Sequence, residues 1–337
     1  MRELIEKIQQ KKNLTRGEIQ AIMTEIMSGR GDEADIRDFL IAMNDKVATV
    51  EEITGAAQVM RKFVLPVETK RQIVLDTCGT GGDGKHTFNI STTVAFVVAA
   101  TGVAVAKHGN RSVSSLCGSA DVLESLGVKI DLAHERLSIC LEEVGLAFLF
   151  AQRHHPAMKH VASARKALGS TSIFNVLGPL TNPARSTHQM LGVYNHRLVE
   201  QLAHVLKNLG SKRAIVVHAA DGLDEISISD KTSIAELKDN EIRTYEIVPE
   251  EFNLKRVSLD LFKGGDKAAN AKSMLAILEG EKGPRRSIVL LNSAFALYAA
   301  EAVKTPEEGM GIAANMIDEG RALGVLNKLR EFTNRVS

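Results

Sequence analysis

The sequence predicts an α/β protein that carries a smaller all-α domain at its N-terminal end. Three observations predict it. Residues 1 to about 70 show only helical periodicity; from Ile73 short β-branched runs alternate with longer helical patterns; and 337 residues, 44% hydrophobic and 25% charged, exceed the usual size of one compact domain.

In the first stretch the apolar positions Leu4, Ile5 and Ile8, then Ile19, Ile22, Met23 and Ile26, recur at spacings of three and four. Thr15 with Glu18 and Thr49 with Glu52 have capping-box spacing, in which a hydroxyl and a carboxylate satisfy free amides where a helix starts. The runs IVLD (73–76), VAVAK (103–107) and IVVHA (215–219) are expected to be strands of a parallel or mostly parallel sheet. The segment TTVAFVVAATG (92–102) is apolar on every side and predicts a helix inside the domain. By contrast HRLVEQLAHVLKNLG (196–210) is amphipathic and ends at a glycine suited to a C-cap, which predicts a layer helix. Residues 235–255 are polar and alternating, and are expected to form exposed β structure.

Composition narrows the function. Lys and Arg number 42 against 41 Asp and Glu, so a net charge of +1 gives no footprint for nucleic acid or an anionic membrane. The segment MRELIEKIQQKKNL is charged throughout, and no apolar run reaches the roughly 18 residues of a membrane span, so a soluble, cytoplasmic protein is expected. Cys78, Cys117 and Cys140 form no CxxC pair and are expected to be thiols.

The segment LDTCGTGGDGKHTFNISTT (75–93) runs from a strand through Gly79, Thr80, Gly81, Gly82, Asp83 and Gly84 into a helix starting near Asn89 to Ser91. Glycines allow positive φ and close backbone approach, so consecutive amides can face phosphate oxygens while the helix N-terminus adds positive charge. No GK[ST] follows and the glycine spacing is not that of a dinucleotide fingerprint. A tight structural turn is the plain alternative, but it would not need the polar cluster of Asp83, Asn89, Ser91 and Thr92. A second loop, KHGNRSVSSLCGSADVLESLG (107–127), places Lys107, His108, Asn110 and Arg111 at a strand's carboxyl end, with Ser114, Ser115 and Ser119 as short-reach hydroxyls. A third strand ends in Asp221, Asp224 and Glu225 around Gly222, hard oxygen donors suited to magnesium shared with phosphate. Further along, residues 154–184 mix a basic helix with a Pro- and Asn-rich turn. His154, His155 and His160 lack zinc-protease spacing, while Arg165 offers a planar grip for a carboxylate.

Five motifs occur in order: DTCGTGGDG with FNIST, KHGNRSVSS with GSADVLE, HPAMK, IFNVLGPLTNP and DGLDE. Together they resemble the anthranilate phosphoribosyltransferases, over residues 3 to about 333. The resemblance implies a type III nucleoside phosphorylase/phosphoribosyltransferase-like fold. It implies a helical domain of residues 1–70 plus roughly 156–185, for dimerisation and part of the anthranilate site. A large α/β domain of 71–155 plus roughly 186–337 would hold phosphoribosyl pyrophosphate and magnesium. The implied activity moves the 5-phosphoribosyl group onto the amine of anthranilate and releases diphosphate, in tryptophan biosynthesis, by a homodimer.

Carried over by motif, Gly79, Thr80, Gly81, Gly82, Asp83, Thr87, Asn89, Ser91, Thr92, Lys107 and Ser119 would bind phosphoribosyl pyrophosphate. Ser91, Asp224 and Glu225 would bind Mg2+, as two ions. Gly79, His108, Asn110, Arg165 and Pro179 would contact anthranilate, Arg165 facing its carboxylate. No covalent nucleophile is needed; His108 is the candidate base. Gly178 and Pro179 would lie in a hinge-like turn. Association with a glutamine amidotransferase subunit of anthranilate synthase is left open. The chain departs from the family pattern where Val47 and Ala48 replace Gly and Glu, where Thr171 and Ser172 replace Arg and Thr, and at Ala162, Ser163 and Ala164, where a proline-containing sequence is expected. These changes fall around the implied anthranilate tunnel. Two rival readings are a pyrimidine nucleoside phosphorylase-like enzyme, opposed by the absence of a KHSTGG loop, and a non-catalytic nucleic-acid-binding relative, opposed by the neutral charge and the intact DGLDE.

Overall fold

The structure, a computed structural model, describes residues 1–112, 116–169 and 171–335. Four helices come first: α1 (Arg2–Gln9), α2 (Arg16–Met27), α3 (Glu33–Lys46) and α4 (Val50–Phe63). Both expected capping boxes form. The Thr15 and Thr49 amides donate to the Glu18 and Glu52 carboxylates at 2.7 Å, and each hydroxyl accepts the glutamate's amide at 3.3 Å. Glu52 does more than cap α4. Fully buried, it also accepts from the Leu14 amide and from Lys46 Nζ, each at 2.8 Å, and so joins the α1–α2 connection, the end of α3 and the start of α4. The helical stretch stops at Phe63, short of the expected residue 70. An extended strap follows, held where the Leu65 amide donates to the His154 carbonyl at 2.9 Å and the Val67 amide to the Pro183 carbonyl at 3.1 Å.

A seven-stranded sheet forms from β1 (Val74–Gly79), β2 (Ala104–Gly109), β3 (Leu146–Phe150), β4 (His188–Gly192), β5 (Arg213–Ala219), β6 (Thr232–Lys238) and β7 (Glu241–Ile247). Its order is β3-β2-β1-β4-β5-β6-β7, with the first five parallel and the last two antiparallel. The polar 235–255 stretch is therefore only half as expected. The outer strand β7 is mostly exposed, but β6 is mostly buried because it lies between two strands and under a helix.

The connecting helices are α5 (Ile90–Ala99), α6 (Ser119–Ser125), α7 (His134–Glu143), α8 (Ala151–His154), α9 (Ala162–Leu168), α10 (Ile173–Leu177) and α11 (Leu198–Asn208). Four more close the chain: α12 (Lys267–Leu278), α13 (Pro284–Ala299), α14 (Pro306–Asp318) and α15 (Arg321–Asn334). As its all-apolar sequence predicts, α5 is buried along its length apart from Ser91, between the sheet and α13. The amphipathic α11 packs its apolar face on β5 and β6, and Gly210 beyond its end has φ +84°. One core lies on the α5 and α13 side of the sheet. The other runs from α1–α4 through residues 157–180 and α11 to the opposite sheet face. Among the described residues no helix is long and apolar enough to cross a membrane.

The chain leaves β1 for β2 on one side and returns through β4 on the other, so strand order reverses between β1 and β4. In open α/β sheets the crevice at the carboxyl ends of such a pair is where ligands bind. Here it is bordered by the glycine-rich loop.

Candidate active site

The glycine-rich loop leaves β1 at Gly79 and enters α5 at Ile90. Gly81 and Gly82 have φ +62° and +82°, backbone that a side chain would strain, so amides rather than side chains line the turn. The exit of the loop is zipped to residues 262–264. Phe88 N donates to Phe262 O at 2.9 Å, Gly264 N to His86 O at 2.8 Å, and Thr87 forms a β-bridge with Lys263. Thr80 has a role its sequence position did not suggest. Its side chain is turned into the fold, where Oγ1 accepts from the Tyr194 amide at 3.1 Å and its own amide donates to Gly192 O at 2.9 Å.

The acidic segment after β5 lies directly on this loop. Asp224 Oδ2 accepts from the Gly81 amide at 3.1 Å, and Glu225 Oε1 accepts from the Ser91 amide, in the first turn of α5, at 3.1 Å. Two glycines make the approach feasible: a Cβ on Gly79 would lie 2.6 Å from Asp224 Oδ2, and one on Gly192 would lie 1.5 Å from the Asp224 carbonyl oxygen. Gly192 escaped the sequence reading because no glycine motif surrounds it. Asp221 faces elsewhere, accepting from Ser227 Oγ at 2.6 Å and from the Leu223 amide at 3.1 Å, so it caps the turn.

Desolvation raises both Asp224 and Glu225 above the ordinary carboxylate range, Asp83 adding to the first and Asp224 to the second. Asp83 itself accepts from the Lys85 amide at 3.1 Å. Crowded carboxylates of this kind are hard oxygen donors in want of positive charge, and Ser91 Oγ lies beside them. This donor set fits magnesium. Among the described residues no group of three His, Cys, Asp or Glu side chains is placed to hold a metal ion; magnesium commonly binds through one or two carboxylates together with substrate phosphates and water.

Beneath the loop lies Lys107, 3% exposed. Its Nζ donates to Thr77 O at 2.5 Å and to Ser91 Oγ at 3.2 Å. Burial lowers its pKa, while Asp76, Cys78 and Glu225 oppose the shift. Asp76 escaped the sequence reading because it sits inside an apolar strand. Fully buried and raised to about 6 by desolvation, it accepts from the His108 amide at 3.2 Å and from Asn182 Nδ2 at 2.8 Å.

His108 and His155 are both buried, with their Nε2 atoms 3.2 Å apart, so one ring donates and the other accepts. Burial lowers both, His155 to about 4, and each is neutral at pH 7. His155 was noted in the sequence only as spacing that does not suit zinc. In the second loop Asn110 O accepts from Ser119 Oγ at 3.3 Å, Asn110 Oδ1 accepts from Arg111 N at 2.8 Å, and Arg111 pairs outward with Asp121 and Glu124. Asn89 bridges the two loops, donating to Cys117 O at 3.2 Å, while Thr92 is buried behind Ser91. Ser114 and Ser115 lie outside the described residues.

On the helical side, the half-buried Arg165 stacks on Phe174 with its guanidinium carbon 5.7 Å from the ring centroid, and it forms no ion pair among the described residues. Burial lowers its pKa. Pro179 is buried in a 3-10 turn, its carbonyl accepting from Gln189 Nε2 at 2.7 Å. The departing residues line this side too. Thr171 O accepts from Asn44 Nδ2 at 2.7 Å, Thr171 Cγ2 lies 3.4 Å from where a Cβ on Gly82 would be, and Ser163 Oγ donates to Glu33. The structure thus brings the two loops, Lys107 and the acidic pair into direct contact, while Arg165 stands apart on α9.

The glycine-rich loop at the strand switch point, with an N-terminal helical bundle beside it, belongs to a glycosyl transferase, by the family models that cover both parts. Residues 2–64 match the glycosyl transferase family helical bundle domain and residues 71–323 its a/b domain. Among relatives, the anthranilate phosphoribosyltransferase of Symbiobacterium thermophilum is 52% identical over 100% of this chain and 98% of its own, and that of Geotalea uraniireducens is 51% identical over 99% of each. The crystal structure of the Thermus thermophilus enzyme superposes with TM-score 0.93 at 38% identity, covering 98% and 99% of the two chains. The Saccharomyces cerevisiae enzyme in complex with PRPP and Mg gives 0.88 at 26% identity, covering 96% and 94%. The chain belongs to the anthranilate phosphoribosyltransferase family.

Proposed function

We propose that the chain transfers the 5-phosphoribosyl group from phosphoribosyl pyrophosphate to the amine of anthranilate and releases diphosphate, with Asp224 and Glu225 holding magnesium at the glycine-rich loop. The observation that carries this is the seating of both carboxylates on the amides of Gly81 and Ser91, over the buried Lys107. With the Thr80, Gly81 and Ser91 amides held by Gly192 O, Asp224 and Glu225, the amides of Gly82, Asp83 and Thr92 would face the diphosphate, with Asn89, Ser119 and Thr87 fixing the loops around it. Bound magnesium would offset negative charge on the diphosphate, with Ser91, Asp224 and Glu225 as its protein donors and two ions as the proposed number.

Substitution at the anomeric carbon needs a stabilised leaving group and a fixed approach for the amine. Lys107, beneath the loop, would stabilise the departing group. Arg165, with no carboxylate of its own, would grip the carboxylate of anthranilate, alongside Asn110, Pro179 and the neutral His108. An aniline-type amine attacks as the neutral base, so the weak basicity of buried His108 suffices for the optional proton acceptance. Dimerisation through the helical bundle is supported by the exposed apolar Ile41 on α3. A cytoplasmic location and tryptophan biosynthesis follow from the substrates. Diphosphate release, followed with a coupled diphosphatase, tests the reading. Release that requires both phosphoribosyl pyrophosphate and anthranilate is expected, and phosphate-dependent loss of base from a pyrimidine nucleoside in its place would overturn it.

A further inference from the structure

We infer, on the assignment of the diphosphate loops proposed above, that Asn270 is a positioning residue for the diphosphate site, keeping Asn89 from capping its own helix. Asn270 lies on α12, is 2% exposed, and belongs to none of the motifs singled out in the sequence. Its Oδ1 accepts from the Gly265 amide at 2.8 Å, and that backbone donor fixes which way its side-chain amide faces. Nδ2 must therefore be the other end, and it donates to Asn89 Oδ1 at 3.1 Å. Asn89 is fixed in turn, because its Nδ2 donates to the Cys117 carbonyl at 3.2 Å. Three hydrogen bonds run one way, from a backbone donor to a backbone acceptor. The seat is tight: a Cβ on Gly264 would lie 2.6 Å from Asn270 Oδ1.

Asn89 is the residue before α5, where asparagine is among the strongest N-caps and its side-chain oxygen ordinarily accepts from the amides of the first turn. Here it accepts none of them. The relay spends that oxygen on Asn270; with the Ile90 amide given to Phe88 O and the Ser91 amide to Glu225, it is the Thr92 amide of the first turn that this leaves to an anion, and the same relay ties the glycine-rich loop to the loop after β2. Without Asn270, the Asn89 oxygen swings onto its own helix and competes with the diphosphate.

Titration calorimetry with magnesium diphosphate, on the wild type, Asn270→Ala, Asn89→Ala and Asn270→Ala/Asn89→Ala, tests this without anthranilate or turnover. A failure of the functional reading would show separately, as absent turnover in the wild type. Asn270→Ala is expected to bind diphosphate roughly five- to tenfold more weakly, the scale of one helix cap. KM for phosphoribosyl pyrophosphate should rise by the same factor while KM for anthranilate is unchanged. Because Asn270 acts through Asn89, the double variant should bind no more weakly than Asn89→Ala alone. Asn270→Asp keeps the side-chain size and the Gly265 bond but offers Asn89 an acceptor in place of a donor, and it should reproduce the loss if the alanine variant does not fold. Equal diphosphate affinity in the wild type and Asn270→Asp, or a double variant that binds more weakly than Asn89→Ala, would overturn the proposal.

Discussion

Asp224 lies on Gly192 so closely that a single added carbon could not be placed: a Cβ on Gly192 would come within 1.5 Å of the Asp224 carbonyl oxygen. The end of β4 thereby seats the carboxylate that accepts from the Gly81 amide. Gly192→Ala must push the 222–225 turn away from the glycine-rich loop. A displacement of about 1 Å in positioning groups is enough to lower turnover about 100-fold. Magnesium-dependent turnover of Gly192→Ala should therefore fall by at least that order. Gly17→Ala, with nothing within 4 Å of the new carbon, serves as the unaffected control.

The acidic pair makes a prediction about stability. Asp224 is raised to about 7 and Glu225 to about 8, chiefly by desolvation, against roughly 4 in an unfolded chain. Between about pH 4 and 8 the folded protein then holds protons that the unfolded chain has released, so this contribution to stability falls as pH rises through that window. In thermal melts with magnesium chelated, the wild type should lose stability from pH 5 to 8 relative to Glu225→Gln, in which one titrating group is gone. Parallel curves for the two proteins would remove this account of the pair.

Arg165 stacks on Phe174 and has no carboxylate partner among the described residues. If its partner is the carboxylate of anthranilate, Arg165→Lys loses the bidentate geometry. Steady-state kinetics should show KM for anthranilate rising about tenfold or more, with KM for phosphoribosyl pyrophosphate within about twofold of the wild type. A rise in both would assign Arg165 to the fold instead.

Val47 follows the last residue of α3 with φ +68° and is 60% exposed, so a β-branched residue occupies backbone that favours glycine and buries little in return. Val47→Gly should raise stability by about 1 kcal/mol, read as a higher melting temperature. A fall would mean that the side chain has packing value in the protein's assembled state.

Much of this was legible in the chain because local rules and the fold agree. Thr15 and Thr49 cap as spaced, α5 is as buried as its composition demands, and the two phosphate-type loops leave adjacent strands. What was not legible depends on contacts distant in sequence. The strand β4, HQMLG, has no β-branched residue and becomes a strand because β1 and β5 flank it. Alternation marked β6 as exposed, and only its place between β5 and β7 buries it. The bond by which Thr80 Oγ1 accepts from the Tyr194 amide beyond β4 was not legible either, because its partner lies 114 residues away. Gly192, Asp76 and Asn270 matter through partners 32 to 181 residues away, which no local pattern records.

On the proposed function, Asp224 and Glu225 hold magnesium against a diphosphate on the glycine-rich loop with anthranilate beside Arg165. The loss of anthranilate fluorescence on adding phosphoribosyl pyrophosphate, with magnesium present and then chelated, reads this arrangement. The account predicts loss only with magnesium, reduced about 100-fold or more in rate when both carboxylates become amides. Undiminished loss after chelation, or in the Asp224→Asn/Glu225→Gln variant, would contradict it.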